Sequence, residues 1–382
     1  MKVHFFQDNT FFRTAKGTNP FFDPIIQVCE ENGIEWKVWT TVPTPKCGYP
    51  PEKVGYFRRF AMGSVWFWRV AHLFLPMATW RFSWLFGRLM RPFVRKRFGA
   101  DLFITVAGNL CEQLVGIAPE VRNIDIQHGV IYSKHRGYFD DTGRLREVYQ
   151  TLRQREFWLY GQGYADCFFK HPENERWLGR LGASDCRVKI IGDVLRQEDE
   201  MDKVENCKSR QYIVVSLQFT SDFPRQVLQS WERDLCRYLE QIQEEALYKH
   251  YKVVLKQHPR YNGCYDIGLM LLRFPWLSIS DLPHTVLKKQ AIYHITYMST
   301  TAFEYAAEGV PTLFTESDSN RLGIEIFYDE FRYPLPPSFK TLKAAVESVE
   351  EWDRQSERVK AWQRRFYKPL DVTRICQLLG LR

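Results

Sequence analysis

Apolar runs of four or five residues, each closed by Gly, Asn, Asp or a polar residue, recur at Leu102–Val106, Asn123–Ile126, Phe157–Tyr160 and Val188–Ile191. Runs this short read as strands buried on both faces of a parallel sheet. Upstream, Lys2–Phe6 and Glu35–Val42 read as strands on either side of a helical stretch, Pro24–Asn32. Parallel neighbours need such a crossover. The pattern stops in the polar stretch Asp193–Arg210 and then restarts at Tyr212–Leu217, Lys252–Leu255, Leu277–Ser280, Ile292–Thr296 and Thr312–Phe314. A charged, aromatic helix is expected over Leu342–Tyr367. The expectation is an α/β chain with a first domain over 1–195, a linker over 196–210 and a second domain over 211–350. A helical tail over 351–382 would pack back on the first domain. A length of 382 residues suits two or three domains, and no fixed-period repeat points to a solenoid or propeller.

The net charge of +8 is local. Residues 53–100 hold ten Lys/Arg and no Asp or Glu, together with 13 of the 59 aromatic residues, leaving the rest of the chain at −2. Arg81, Arg88 and Arg95 recur every seven residues, while Phe82, Phe86, Leu89 and Phe93 line another face at helical spacing. Pro92 is expected to kink that helix near its end. Basic on one side and aromatic on the other suits a helix lying on an anionic membrane. It equally suits a core-facing helix with surface arginines, or a cationic site for an acidic glycan. The longest uncharged run, Val70–Trp80, has 11 residues, too few to span a bilayer. No nucleic-acid-binding motif accompanies the charge. The nine cysteines include no C-x-x-C pair, which argues against a disulfide scaffold or zinc ribbon and fits a reducing compartment. The first strand begins beside Met1 with no leader-like stretch before it, so a cytoplasmic location is expected.

Three stretches carry candidate chemistry. In Ile292–Phe314 a strand runs into Ser299, Thr300 and Thr301, then a short helix bearing Glu304 and Glu308, then Gly-x-Pro and another strand. Hydroxyls and backbone N–H groups at the helix start suit a phosphate, and Glu304 suits vicinal hydroxyls such as those of a ribose. A plain N-cap with solvated glutamates reads equally well from these residues alone. In Val253–Arg260 a buried strand ends in Lys256, His258 and Arg260, cations that can neutralise or protonate a phosphate leaving group. Ligands of open α/β sheets bind beyond the carboxyl ends of strands. In Ile124–His135 a strand delivers Gln127, His128 and Gly129, with Gly129 free to take a positive φ and His135 and Arg136 in the loop beyond. His4, His72, His171, His250, His284 and His294 fit no constellation and read as core or surface residues. There is no Asp-x-Asp, no Walker loop and no G-x-G-x-x-G, which argues against a metal-diphosphate site, a kinase and a dehydrogenase.

Gln-His-Gly, then Lys-x-His-Pro, then Ser-Thr-Thr with a following Glu and Gly-x-Pro, in this order, resemble the motifs of bacterial glycosyltransferases of the GT-B architecture. The resemblance is to capsule 3-deoxy-octulosonate (Kdo) transferases, sialyltransferases and teichoic-acid glycerophosphotransferases. It implies two Rossmann-like domains facing across a cleft, with a helix closing the chain, and a nucleotide-sugar donor with cytidine favoured. On that resemblance Lys256, His258, Arg260, Ser299, Thr300, Thr301 and Glu304 hold the donor nucleotide. His128 is the base in an inverting reaction, and Gln127, Gly129, His135 and Arg136 bind a surface-polysaccharide or lipid-linked glycan acceptor. No metal and no other cofactor is expected. The sialyltransferases' paired acidic motif is missing, which weakens a sialic-acid donor. A sugar-nucleotide 2-epimerase on the same fold and a non-catalytic polysaccharide-assembly scaffold are the alternatives.

Overall fold

The computed structural model describes residues 1–6, 14, 16–41, 48–71, 79–108, 110–195, 210–219, 223–258, 263, 265–315 and 321–381. Arg260, nearly all of the expected linker, and the middle of the uncharged run after Val70 lie outside the described residues. The chain divides into two compact units, residues 1–199 with 367–382, and residues 200–366.

The first unit carries seven strands, β1 (Lys2–Phe6), β2 (Glu35–Thr40), β3 (Val54–Tyr56), β4 (Leu102–Val106), β5 (Arg122–Ile126), β6 (Arg155–Leu159) and β7 (Val188–Ile190). They form one sheet in the order β3-β2-β1-β4-β5-β6-β7, every pairing parallel. β4 is buried along its whole length, as a central strand covered on both faces must be. Between β3 and β4 run two helices, Arg58–Ala71 and Thr79–Val94. Both pack against helix Cys111–Ile117: Gln113 donates to the Ser64 hydroxyl at 3.1 Å, and Gly87 lies against the Gln113 backbone. The crossing depends on two missing side chains. A Cβ on Gly87 would sit 2.2 Å from the Gln113 carbonyl oxygen, and one on Gly116 would sit 2.3 Å from that of Trp84.

The buried seam of helix Thr79–Val94 departs from the expected one. Phe82 and Phe86 are buried, but Leu89 is 54% and Phe93 77% exposed. The seam continues instead through Met90 and Val94, which pack into the core of Phe6, Trp39, Phe98 and Leu114. Steps of four follow one ridge of the helix, and that ridge drifts away from Leu89 and Phe93. Pro92 lies within the helix.

The second unit carries β8 (Tyr212–Ser216), β9 (Lys252–Lys256), β10 (Ser278–Ile279), β11 (Ala291–Thr296) and β12 (Thr312–Phe314). Their order is β10-β9-β8-β11-β12, again all parallel. Alternation divides the strands between two cores: Ile213 and Val215 face Trp231, Leu235 and Leu239, while Val214 faces Leu287, Tyr305 and Val310. Helix Arg225–Glu244 buries Leu228, Trp231, Leu235, Leu239 and Ile242, an apolar stripe at helical spacing. The helix expected over Leu342–Tyr367 is two, Phe339–Glu347 and Val349–Phe366. Ser348 between them is extended. The second of the pair packs on helix Thr301–Ala307, with Trp362 stacked on Phe303 at 4.6 Å. A final helix, Val372–Leu378, belongs to the first unit.

Candidate functional site

In each sheet the chain winds outward in both directions from a central pair, β1/β4 in the first and β8/β11 in the second. At such a reversal the loops leaving the two strands diverge and open a crevice at their carboxyl ends, where doubly wound folds take ligands.

In the second unit the reversal falls between the loops after β8 and β11. Gln218 spans them, its side-chain oxygen accepting the Met298 N–H at 2.9 Å. Ser299 follows, buried, its hydroxyl oxygen accepting from the Thr301 N–H at 3.2 Å and the Thr301 hydroxyl at 2.9 Å. Ser299 thus caps the helix that begins at Thr301, whereas Thr300 and Glu304 face solvent. Glu308 lies 3.7 Å from Lys288.

β9 lies one strand beyond β8, so its end and that of β11 stand about 10 Å apart at the usual strand spacing. The end of β9 is tied on both sides. The Lys256 carbonyl accepts from the Leu217 N–H at 2.9 Å, and its ammonium donates to the Ser280 carbonyl at 3.3 Å. His258, two residues on, is half-buried. The structure therefore sets Lys256, His258, Ser299, Thr300 and Thr301 along one sheet edge.

Two residues that the sequence reading sets aside belong to this edge. His284 opens helix His284–Gln290, and its Nδ1 lies 3.4 Å from the Tyr305 hydroxyl. Burial, then the charges of Lys256, His258 and Lys288, push the His284 pKa down to about 4. The Tyr305 ring stacks on His294 at 4.0 Å and 3°. His294 is fully buried, with Nε2 2.8 Å from the Ser216 hydroxyl and Nδ1 3.0 Å from that of Thr312. Burial holds His294 neutral, and its contacts tie β8, β11 and β12 beneath the edge. The signal for His284 is its place as an early polar residue after a strand, the same logic that finds Lys256 and His258.

In the first unit the matching edge is built around β5. Gln127 is buried and fully engaged: its side-chain oxygen accepts the Tyr160 N–H at 2.9 Å, and its amide donates to the Gly129 carbonyl at 2.7 Å. Its own carbonyl accepts from the Tyr160 hydroxyl at 2.8 Å. The Gln127 side chain thus shapes the turn, which Gly129 completes at φ +70°. His128 rides on that turn, half-buried, with its ring 5.6 Å from that of Phe21 in the loop after β1. His135 packs on Tyr132 and Tyr138 and accepts the Gly137 N–H at 3.1 Å, and burial lowers its pKa. Arg136 is exposed. Beneath the neighbouring loop after β4, Asp125 accepts the Gly108 N–H at 2.7 Å and pairs with the buried Arg155 at 2.8 Å. That loop holds Ala107, Gly108 and Leu110 at positive φ, a conformation costly for the two residues that carry a Cβ.

Among the described residues, no three His, Cys, Asp or Glu side chains are grouped as metal ligands. No helix among them is long and apolar enough to cross a membrane.

No protein-family model matches the sequence, and no curated protein matches it. Solved structures do. The wall teichoic acid polymerase TagF, soaked with CDPG, aligns over 99% of this chain and 86% of its own, at TM-score 0.52 and 12% identity. The UDP-GlcNAc 2-epimerase of Methanocaldococcus jannaschii, in complex with UDP-GlcNAc and UDP, aligns over 100% and 99%, at 0.54 and 14%. The glycotransferase of kitacinnamycin aligns over 99% and 98%, at 0.52 and 13%. At such identities the likeness is one of fold, and the fold is GT-B.

Proposed function

We propose that the chain is a glycosyltransferase that moves a sugar from a nucleotide-activated donor to a surface-polysaccharide or lipid-linked glycan acceptor. The observation that carries this reading is the alignment of two cations, Lys256 and His258, with the Ser299–Thr301 hydroxyls along the edge that flanks the β8/β11 reversal. Lys256 and His258 meet the donor phosphates, with Arg260 beyond them, and balance the charge that grows on the leaving group without a metal. Thr300 and Thr301 offer hydroxyls at the helix start, and Glu304 takes the ribose. Ser299 contributes through its cap. In the first unit, His128 takes the proton of the acceptor hydroxyl, and attack by that oxygen displaces the nucleotide with inversion. An imidazole suits this work at neutral pH. Gln127 and Gly129 hold His128 in place, while His135 and Arg136 contact the acceptor. The motif resemblance favours a cytidine nucleotide.

A 2-epimerase is the second reading, favoured by the full-length likeness to the M. jannaschii enzyme. It needs no acceptor.

A melting-temperature panel of CMP, CDP, UDP and GDP tests the donor. Stabilisation by cytidine nucleotides is expected, reduced in His258→Ala and retained in His128→Ala, whose sugar transfer is abolished. Loss of nucleotide binding in His128→Ala contradicts its assignment as base. Conversion of the donor sugar with no acceptor present selects the epimerase.

The same reading sets the enzyme at an anionic membrane, the inner face of the plasma membrane. The outward stripe of helix Arg58–Ala71 is Arg58, Arg59, Met62, Val65, Trp66, Arg69 and Val70, with Trp66 69% exposed. Helix Thr79–Val94 adds Arg88, Leu89 and Phe93. Arg81 pairs with Glu147, and Arg91 and Arg95 with Glu120. Among the described residues Arg58, Arg59, Arg69 and Arg88 form no ion pair. Flotation with phosphatidylglycerol vesicles is expected to fall roughly tenfold or more in Trp66→Glu/Phe93→Glu, and to weaken with salt. Equal binding by the double variant removes this partner.

A further inference from the structure

His284 stands where charges from three directions meet. Lys256 approaches from the end of β9, His258 from the loop after it, and Lys288 from the next turn of its own helix. Lys288 is turned partly toward Glu308, at 3.7 Å. On the remaining side are two aromatic groups. Tyr305 sets its hydroxyl 3.4 Å from Nδ1, and His294 lies stacked behind Tyr305 with both ring nitrogens already bonded. Tyr305 is buried, which keeps its hydroxyl protonated. It can therefore donate to Nδ1 of a neutral His284 and accept from a protonated one. The imidazole has a partner in either state, held rigid by the stack beneath it.

We infer that His284 takes up a proton from solvent when a phosphorylated ligand binds between Lys256 and His258, and becomes a third cation on that ligand. The inference rests on the donor-site reading above and adds to it a residue and a proton. In the unliganded protein a charge on His284 is opposed first by burial, then by the neighbouring Lys256, His258 and Lys288. A dianionic phosphate among those cations reverses the balance, since an opposite charge within a few ångströms favours the protonated form. The only bond formed in the protein is N–H, and buffer supplies the proton.

Titration calorimetry with CDP and with pyrophosphate at pH 7, in PIPES, HEPES and Tris, measures the protons taken up from the slope of heat against buffer ionisation enthalpy. Wild type is expected to take up between about 0.5 and 1 proton more than His284→Asn, the ligand's own titration cancelling in the difference. His284→Asn keeps binding, weakened roughly tenfold. Binding with equal uptake in wild type and His284→Asn overturns the inference and leaves the donor site standing. So does an uptake that disappears only in His258→Asn. Absence of binding by both ligands, in heat and in melting temperature, removes the donor reading and the inference together.

Discussion

At His4, burial against Phe6 and Trp39, then the nearby charges of Lys2 and Lys37, hold the imidazole pKa down to about 4. The unfolded chain titrates near 6.5. Between these values the unfolded state binds the proton and the folded state does not, so stability from this residue is complete above pH 6.5 and is lost as pH falls toward 4. At pH 5 the loss is about 2 kcal/mol. His4→Leu removes it, so the melting-temperature gain of the variant over wild type is expected to be larger at pH 5 than at pH 7.5. A constant gain would mean the imidazole titrates normally in the fold. Gln127 presents a different case. Gln127→Leu leaves the buried Tyr160 N–H without its acceptor and is expected to cost about 2 kcal/mol in urea unfolding. The Gln-His-Gly turn is legible in the sequence because its residue types and its place after a strand are local facts. The role of Gln127 is not, because its partner lies 33 residues away. His294 escapes for the same reason: its partners Ser216, Thr312 and Tyr305 come from other strands and a helix.

The strands are the most legible elements, and β4 and β12 match their expected limits, Leu102–Val106 and Thr312–Phe314. Continuous apolar runs between polar closures leave little freedom in where such a strand stops. β3 carries no such signal. It has three residues, and Gly55 at its centre lies beneath the Trp39 ring, where a Cβ would stand 2.3 Å from a ring carbon. The basic aromatic stretch reads as helix, but its packing does not, because periodicity alone does not distinguish a ridge in steps of four from a broader face. Gly87 decides the matter by allowing contact with Gln113. Gly87→Val is expected to destabilise the first unit by about 2 kcal/mol or more through overpacking, read in urea unfolding. Arg88→Ser, on the outward face, is expected to change stability by less than about 0.5 kcal/mol. A neutral Gly87→Val would mean the two helices do not cross there.

Across the chain, the first unit is discontinuous: residues 200–366 intervene before 367–382 complete it. The returning segment is bonded into the edge beyond β7. Asp193 N–H donates to the Lys368 carbonyl at 2.9 Å and Asp371 N–H to that of Ile191 at 2.8 Å. Tyr367 packs on Tyr160 and Tyr164, and Pro369 leaves no room for a side chain on Gly192. Removal of residues 367–382 is expected to expose β6 and β7 to hydrogen exchange while β8–β12 keep their protection. Unchanged protection of β6 and β7 would deny the segment that part. The polar break near residue 200 marks the first passage between units in the sequence. The second passage, at Phe366/Tyr367, falls inside one continuous stretch of aromatic and charged residues, with no change in composition to betray it.

That interrupted layout sets an order on biosynthesis. A ribosome finishes every strand of the first sheet before it starts the second, yet the peptide that seals β7 leaves the exit tunnel only after the whole intervening unit has been made. Until then Tyr160 and Tyr164 lack their cover, and a nascent chain stalled anywhere before Tyr367 presents that opening to chaperones and proteases. Synthesis of residues 367–382 thus becomes the step that closes the first unit.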